Sequence, residues 1–288
     1  MFFSSPESFM SWEHKAVTVF GMSGVGKTTV ASMLRDDGWF HYSVDYRIGT
    51  RYMGEFIVDN FKRQAMKVPF LRDLLISDSI RIDSNLSFHN LDPLSTYLGK
   101  PGDPARGGLP FAEYRRRQEQ HRIAETQAMG DVPIFIDKAR DIYGYRHFIC
   151  DCSGSLCHVV NPEDPYDLVM TGLGEHSLIL YIRGTAAHAD MLVERFKADP
   201  KPMHYPDALL CRLWETFKAE RDITDDAGVD PDAFAVWGFE QLLHTRIPLY
   251  EAIAAEHGYT VEADEVMAVK TPADFVDLIA TAIARRTA

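Results

Sequence analysis

Short apolar runs alternate with longer segments of helical spacing along this chain, and the alternation predicts its elements. The runs predicted as strands are Ala16–Phe20, Gly38–Asp45, Phe148–Cys150, Ser177–Arg183 and Tyr259–Ala263. The segments predicted as helices include Thr29–Arg35, Ala112–Met129, Pro133–Tyr145, Leu209–Arg221, Phe234–His244 and Pro272–Ala284, the last with Thr271 as its N-cap. Strands that alternate with helices predict an α/β fold with a mainly parallel sheet flanked by helices.

The region between the second and third predicted strands is irregular and mostly helical. Apolar residues recur there at helical spacing and are interrupted at Pro69. Residues 91–110 are rich in proline and glycine, which is typical of a lid or a binding loop. No shift in composition marks a domain boundary. We therefore expect a single domain over residues 1–288, with residues 50–130 as an inserted, mostly helical substrate-binding or lid region.

One nine-residue stretch, GMSGVGKTT, carries the clearest chemistry. It reads G-x-x-x-x-G-K-[ST] between a predicted strand and a predicted helix, which is the P-loop signature in its proper context. Its glycines can turn backbone N–H groups toward phosphate oxygens, and the helix N-terminus adds its positive end. An ordinary glycine-rich turn is the alternative. The residues predicted to contact the nucleotide are Gly21, Ser23, Gly24, Val25, Gly26, Lys27, Thr28 and Thr29.

Charged residues at strand ends extend this prediction to a P-loop NTPase fold with a metal site. Lys27 is expected to reach the β- and γ-phosphates of ATP, and the Thr28 hydroxyl to bind Mg²⁺. Asp151 ends the predicted third strand, where an acid can provide a second Mg²⁺ ligand. Asp45 ends the predicted second strand at the same edge, so we expect it to touch substrate or Mg²⁺. The alternative for Asp45 is an N-cap of the segment that follows.

Composition narrows the class of protein. The 42 acidic and 30 basic residues give a net charge of −12, which disfavours general nucleic-acid binding and anionic membrane surfaces. The first ten residues lack the features of a secretory signal, and no apolar run approaches a membrane span, so we expect a cytoplasmic protein.

Three of the four cysteines lie in one stretch that ends in a histidine, C-x-C-x₄-C-H. Such a stretch can be drawn as a zinc site. However, strand alternation places Cys150 and Cys152 on one face, and buried thiols are the favoured interpretation.

Beyond the P-loop, several segments resemble the shikimate kinase branch of the P-loop kinases, whose relatives include the gluconate kinases. TRIPLYEAIA, residues 245–254, resembles the family segment R-x-P-L-Y-E-x-I-A, and Arg246 falls on the arginine that grips the anionic group of the acceptor. RFKADPKPM, residues 195–203, resembles the family lid. There Arg195 matches the adenine-stacking arginine, and Lys201-Pro202 stands where the family has Arg-Pro.

Two further segments resemble the family, and two depart from it. In HYSVDYRIG, Asp45 falls on the acid that contacts the reacting hydroxyl, while Ser43 replaces the partner acid near Mg²⁺. The helix with Arg116 resembles the family R-x-x-E, whose arginine binds substrate; for two of the arginines at 115–117 the pattern favours a solvated face. Residues 50–110 are much longer than the corresponding family segment, and residues 152–155 replace the family glycine triplet. These departures favour an acceptor other than shikimate.

The resemblance implies an ATP-dependent kinase that uses Mg²⁺ and phosphorylates a hydroxyl of a small, anionic metabolite. Lys27, Asp45 and Lys201 would be catalytic, Asp45, Arg116 and Arg246 would bind the acceptor, and Arg195 would bind ATP. The alternative function is an ATPase or a nucleotide-dependent regulator that binds a macromolecule through the insertion. For Arg246 the alternatives are a salt bridge to Glu251 or Glu240, or a cation at the C-terminus of a helix ending near His244. The sequence leaves the oligomeric state open.

Overall fold

The computed structural model describes residues 1–287, in which strands and helices alternate along most of the chain. The strands are β1 (Ala16–Phe20), β2 (Trp39–Ser43), β3 (His147–Asp151), β4 (Leu178–Arg183) and β5 (Gly258–Glu262). The α-helices are α1 (Pro6–Met10), α2 (Lys27–Asp36), α3 (Val44–Arg47), α4 (Gly54–Ala65), α5 (Pro69–Ile76), α6 (Asp92–Leu98), α7 (Phe111–Gly130), α8 (Val132–Asp141), α9 (Leu168–His176), α10 (Ala186–Ala198), α11 (Asp207–Glu220), α12 (Pro231–His257), α13 (Ala263–Ala268) and α14 (Pro272–Thr287).

The five strands form one parallel sheet in the order β2-β3-β1-β4-β5. All five residues of β1 are buried, because a central parallel strand is covered on both faces. Its one polar side chain, Thr18, shares a buried hydrogen bond of 2.8 Å with Ser177. A parallel sheet flanked by helices confirms the predicted α/β fold class.

The chain divides into two compact units. The first consists of Met1–Val44, Thr126–Pro200 and Val236–Ala288, and it contains the whole sheet. The second consists of Asp45–Glu125 and Lys201–Ala235, and its secondary structure is helical. The prediction of one domain with an insertion over residues 50–130 stays a prediction, but the second unit draws on a later segment of the chain as well.

An aromatic cluster forms the core of the second unit. The Trp214 ring stacks on Phe111 at a centroid distance of 4.4 Å and meets the edge of Phe234 at 5.0 Å. Phe217 adds a second edge contact with Phe234 at 5.3 Å. The Trp214 indole N–H donates to Asp226 at 3.0 Å, so its polar atom is satisfied while the ring is buried.

Two predicted element ends are wrong. The second strand ends at Ser43, and Asp45 lies inside α3, so it neither ends the strand nor caps the next segment. Val44 begins α3, and both Val44 and Ile48 are fully buried, as a spacing of four residues along one helix face allows. Likewise, no helix ends near His244, because α12 continues through Pro248 to His257.

Other local predictions are confirmed. The Thr271 hydroxyl accepts a hydrogen bond from the backbone N–H of Asp274 at 3.2 Å, so Thr271 caps α14 as predicted. Pro69 starts α5, where its missing N–H is tolerated. Among residues 1–287, no helix has both the length and the apolar character needed to cross a membrane.

Candidate nucleotide-binding site

The glycine-rich loop joins the C-terminal end of β1 to the start of α2 in the first unit. Gly21 has a φ of 141°, and a Cβ there would lie 2.5 Å from the carbonyl oxygen of Ile182. Gly24 has a φ of 81°, and a Cβ there would lie 3.1 Å from a methyl carbon of Leu192. A side chain at Gly21 would therefore clash with the backbone of β4, in a conformation that L residues rarely adopt. The close approach of Ile182 therefore requires glycine at position 21.

Lys27 is the first residue of α2, and its side chain folds back over the loop. Its ammonium group donates to the carbonyl oxygens of Gly21 at 2.8 Å and Met22 at 2.9 Å. The preceding residue, Gly26, has no side chain to cap the first turn of α2. The N-terminus of α2 therefore brings backbone N–H groups and a positive helix end to the same place as the Lys27 charge. This arrangement suits an anion such as a phosphate.

The other predicted loop residues divide into a buried and an exposed set. Val25 is buried and anchors the loop, while Ser23, Gly24, Thr28 and Thr29 are exposed. The Thr28 hydroxyl therefore lies at the surface, at the first turn of α2.

Asp151 lies at the same edge of the sheet. It is the last residue of β3 and pairs in register with Val19 of β1, one residue before the end of that strand. Its carboxylate is buried, with Nε2 of His41 3.8 Å away. A carboxylate beside the end of β1 and a hydroxyl at the start of α2 are the oxygen donors that Mg²⁺ prefers. The residues present therefore fit a Mg²⁺ ion bound together with nucleotide phosphates.

The loop after β3 lies between Arg246 of α12 and the P-loop residue Ser23. A Cβ added at Gly154 would lie 3.4 Å from the Ser23 hydroxyl oxygen and 3.6 Å from Nη1 of Arg246, so both side chains lie close to this glycine. Tyr250, one turn after Arg246 on α12, donates its hydroxyl to the carbonyl oxygen of Gly154 at 2.5 Å. Burial raises the pKa of Tyr250 well above its ordinary value, so the phenol keeps the proton that it donates.

Arg246 is held by a histidine. It is buried, and its Nε donates to Nε2 of His158 at 2.8 Å. Burial and, to a smaller extent, the charge of Arg246 lower the pKa of His158 to about 3. His158 is therefore neutral near pH 7 and accepts this bond without cancelling the charge of the guanidinium. The arginine is oriented while it keeps a full positive charge.

The two glutamates named as alternative partners of Arg246 contact other cations, and the helix end that Arg246 would cap is absent. The Glu251 carboxylate forms a bidentate pair with Arg183, with bonds of 2.7 and 2.8 Å. Glu240 lies 3.7 Å from the ammonium group of Lys197. Since α12 continues to His257, the predicted helix C-terminus near His244 does not exist.

His158 and Tyr250 are the two residues of this arrangement that the sequence interpretation did not assign. In the sequence, His158 was noted only as the last residue of the cysteine-rich stretch, and Tyr250 only as one residue of the segment that resembles the family. The one local signal for this arrangement is the run of small residues at 153–155, because small residues after a strand leave its backbone accessible.

The remaining predicted site residues belong to one unit or the other, and their roles stay predictions. Arg195 is exposed on α10 of the first unit. Asp45, Arg116 and Lys201 belong to the second unit. There the guanidinium of Arg116 forms a bidentate surface pair with Glu113, with bonds of 2.8 and 2.7 Å.

The interpretation of residues 115–117 as largely solvated holds for two of the three arginines. Arg115 pairs with Asp207 at the surface, as Arg116 does with Glu113. Arg117 is the buried one, and it donates to the Tyr97 carbonyl and to Glu113.

The cysteine stretch is buried, as predicted. Cys150, Cys152 and Cys157 are all buried, and the sulfur atoms of the first two are 3.9 Å apart. Burial raises the pKa of Cys152 well above its ordinary value, so this thiol stays protonated. A protonated thiol is a poor metal ligand, because zinc binds the thiolate.

Comparisons with known proteins find similarity in structure but not in sequence. No family model matches the chain, and no curated protein sequence matches it. The chain is similar in structure to shikimate kinase from Bacteroides thetaiotaomicron, with a TM-score of 0.36 and 14% sequence identity, over 94% of this chain and 96% of that chain. A similarity of this size says nothing about substrate or reaction. The P-loop kinase-like fold of this chain rests instead on its own parallel sheet and on the glycine loop that follows β1.

Proposed function

We propose that this chain is an ATP-dependent phosphotransferase that passes the γ-phosphoryl group to a hydroxyl of a small, anionic metabolite. One observation carries the proposal: the guanidinium of Arg246 and the P-loop residue Ser23 both lie close to Gly154. The site therefore has a second cation besides Lys27. Arginine suits a bidentate grip on a carboxylate or a phosphate of a second substrate.

The chain's own groups act by position and charge. Phosphoryl transfer leaves little covalent work to the protein, so catalysis rests on electrostatic stabilisation of the transferring group. Lys27 provides that charge at the β- and γ-phosphates. Thr28 and Asp151 would hold Mg²⁺, which neutralises charge that develops on the phosphate oxygens. Arg246, oriented by neutral His158, holds the anionic group of the acceptor.

Four roles rest on the family resemblance. Asp45 orients or deprotonates the acceptor hydroxyl, which is the task of a general base in such a transfer. Lys201 neutralises charge on the transferring group, Arg195 stacks on adenine, and Arg116 contributes to acceptor binding.

The test is a screen of metabolite pools sorted by charge. Release of ADP from MgATP is measured with carboxylate- or phosphate-bearing compounds in one set and neutral sugars and alcohols in the other. We expect slow hydrolysis alone and strong stimulation by a member of the anionic set, lost in Lys27→Ala. Stimulation by a neutral compound alone would contradict the anionic acceptor. Rapid hydrolysis that no small molecule increases would point to an ATPase or a regulator instead.

A further inference from the structure

The helix α7 carries a buried polar stripe within the second unit. Tyr114, Gln118, His121 and Glu125 follow one another at intervals of four, three and four residues, so they share one face of the helix. All four side chains are buried, and Glu125 is fully inaccessible to solvent. A carboxylate in such a place is costly unless a cation or several hydrogen bonds compensate its charge. A cation bound beside Glu125 would therefore be strongly favoured.

A second segment of the same unit presents His204 to this stripe. The side chain of Gln118 holds the backbone on both sides of His204. The amide nitrogen of Gln118 donates to the Met203 carbonyl at 3.1 Å, and its amide oxygen accepts from the Tyr205 N–H at 2.9 Å. The Tyr114 hydroxyl also donates to the Met203 carbonyl, at 3.0 Å. Prolines at positions 202 and 206 stiffen the segment. His204 is thus held in place before any ligand binds.

His121, Glu125 and His204 form one cluster of metal-binding donors, here called the His–Glu cluster. One donor atom from each lies within 4.8 Å of the other two, and all three residues are buried. Nδ1 of His121 is 3.7 Å from Oε2 of Glu125, and the rings of His121 and His204 have centroids 4.7 Å apart. Donor atoms bound to one tetrahedral zinc ion lie about 3.4 Å apart. Small side-chain adjustments therefore bring the three donors onto a single ion.

We propose that the His–Glu cluster binds one divalent transition-metal ion, with Zn²⁺ as the best match. Two imidazoles and one carboxylate are a nitrogen and oxygen donor set that zinc accepts, whereas Mg²⁺ and Ca²⁺ prefer oxygen donors alone. Three protein ligands leave a fourth position for water. The ion compensates the buried Glu125 charge and ties the proline-rich segment to α7, so its binding stabilises the second unit. The proposal concerns a different ion and a different unit from the Mg²⁺ of the nucleotide site.

The competing account is a metal-free cluster in which a protonated His121 pairs with Glu125. The two accounts differ in the response of the wild-type chain to metal. The full chain is stripped with EDTA, exposed to ZnCl₂, passed through a desalting column and analysed for zinc by mass spectrometry. We expect about one zinc ion per chain and a rise in melting temperature of roughly 5 °C or more over the stripped protein. CoCl₂ in place of zinc should give visible d–d absorption.

Variants assign the ion to these residues. His204→Ala and the nearly isosteric Glu125→Gln should each weaken zinc retention at least tenfold and abolish the cobalt spectrum. His89→Ala removes an exposed histidine of the same unit and should bind as the wild type does. If His204→Ala fails to fold, Glu125→Gln and the wild-type measurement still decide. Wild-type protein that retains no more zinc than Glu125→Gln, or that gains no thermal stability from zinc, would overturn the proposal in favour of the metal-free cluster.

Discussion

The two units of this chain each gather charged and polar side chains, but they do so in opposite ways. In the first unit, the P-loop cluster (residues 21–29 with Gly154, His158 and Arg246) keeps Ser23 and Thr28 exposed at its surface. In the second unit, every member of the His–Glu cluster is buried. An open cluster built on backbone N–H groups suits a ligand that arrives and leaves during turnover. A sealed cluster of side-chain donors suits a resident ion.

The difference also predicts what each cluster contributes. Under the proposed function, the P-loop cluster contributes to activity more than to stability, because its charges act on a bound nucleotide and acceptor. The His–Glu cluster and the hydrogen bonds around it contribute to stability, because an uncompensated polar group in a sealed site is expensive. Each prediction below separates these two contributions, beginning with the largest.

Replacement of Lys27 should have the largest effect on activity. Lys27→Ala removes the charge beside the β- and γ-phosphates, and we expect ATP turnover to fall by a factor on the order of 10³. The melting temperature should change little, because the hydrogen bonds from Lys27 to the Gly21 and Met22 carbonyls lie within the loop and not in the sheet. Lys138→Ala, at an exposed lysine of α8, is the matched control. Turnover at the wild-type rate in Lys27→Ala would remove the nucleotide assignment.

The two acids Asp151 and Asp45 should fail in different ways. Asp151→Asn weakens a metal ligand, so it should raise the Mg²⁺ concentration needed for half-maximal turnover at least tenfold. Asp45→Asn should leave ATP affinity intact and reduce transfer to the acceptor by roughly 10²-fold or more, as expected for a general base. Both are measured by varying Mg²⁺ and acceptor separately. The same shift in Mg²⁺ dependence for both variants would make Asp45 a second metal-site acid.

Gln118 tests the sealed cluster through stability. Gln118→Ala removes the acceptor of the buried Tyr205 N–H and opens a small cavity, so we expect a loss of roughly 2–3 kcal/mol. Ser23→Ala, in the open P-loop cluster, should change stability by less than about 0.5 kcal/mol. Urea denaturation compares the two variants. Equal losses of stability in the two variants would contradict the claim that the sealed cluster contributes more to stability than the open one.

Arg246→Lys should affect the acceptor and spare the nucleotide. A lysine keeps the charge but replaces a forked, bidentate contact with a point contact. We expect the acceptor's KM to rise about tenfold, which corresponds to about 1.4 kcal/mol, with the KM for ATP unchanged. Steady-state kinetics with each substrate varied in turn makes the comparison. A drop of several degrees in melting temperature for Arg246→Ala with unchanged acceptor KM would assign this arginine to the fold alone.

The effect of His158 on stability is absent near pH 7 and appears only in acid. Its folded pKa is lowered to about 3 from an ordinary value of 6.5, so the unfolded chain binds this proton more readily than the folded chain does. Stability is therefore unaffected above pH 6.5 and decreases as the pH falls from 6.5 toward 3, by at most about 1.4 kcal/mol per pH unit. His158→Gln should flatten that slope in urea titrations at several pH values. A slope identical to that of the wild type would show that His158 is not buried as a neutral acceptor.

The parts predicted from sequence are those whose cause is local. Three adjacent elements follow one another in the chain: the apolar run of β1, the glycine loop and the first turn of α2. Their residue types therefore already specify their geometry. The buried β3 with Asp151 at its end follows in the same way from a short apolar run.

The parts that were missed depend on contacts between distant residues. The bond from Arg246 to His158 joins residues 88 positions apart. Nothing in the sequence around either residue indicates the other. A proline inside a helix removes a backbone hydrogen bond, yet α12 continues through Pro248. The His–Glu cluster was missed for the same reason, since His204 reaches α7 only through the fold of the second unit.

The most direct test of the central claim follows the γ-phosphate itself. ATP labelled at the γ-phosphate is incubated with the full chain, Mg²⁺ and the anionic metabolite that most increases ADP release. If the P-loop cluster is a phosphotransferase site, the label appears covalently on a hydroxyl of that metabolite in the wild type, and on nothing in Lys27→Ala. Label found only as inorganic phosphate, in the same amount with and without the metabolite, would contradict the account.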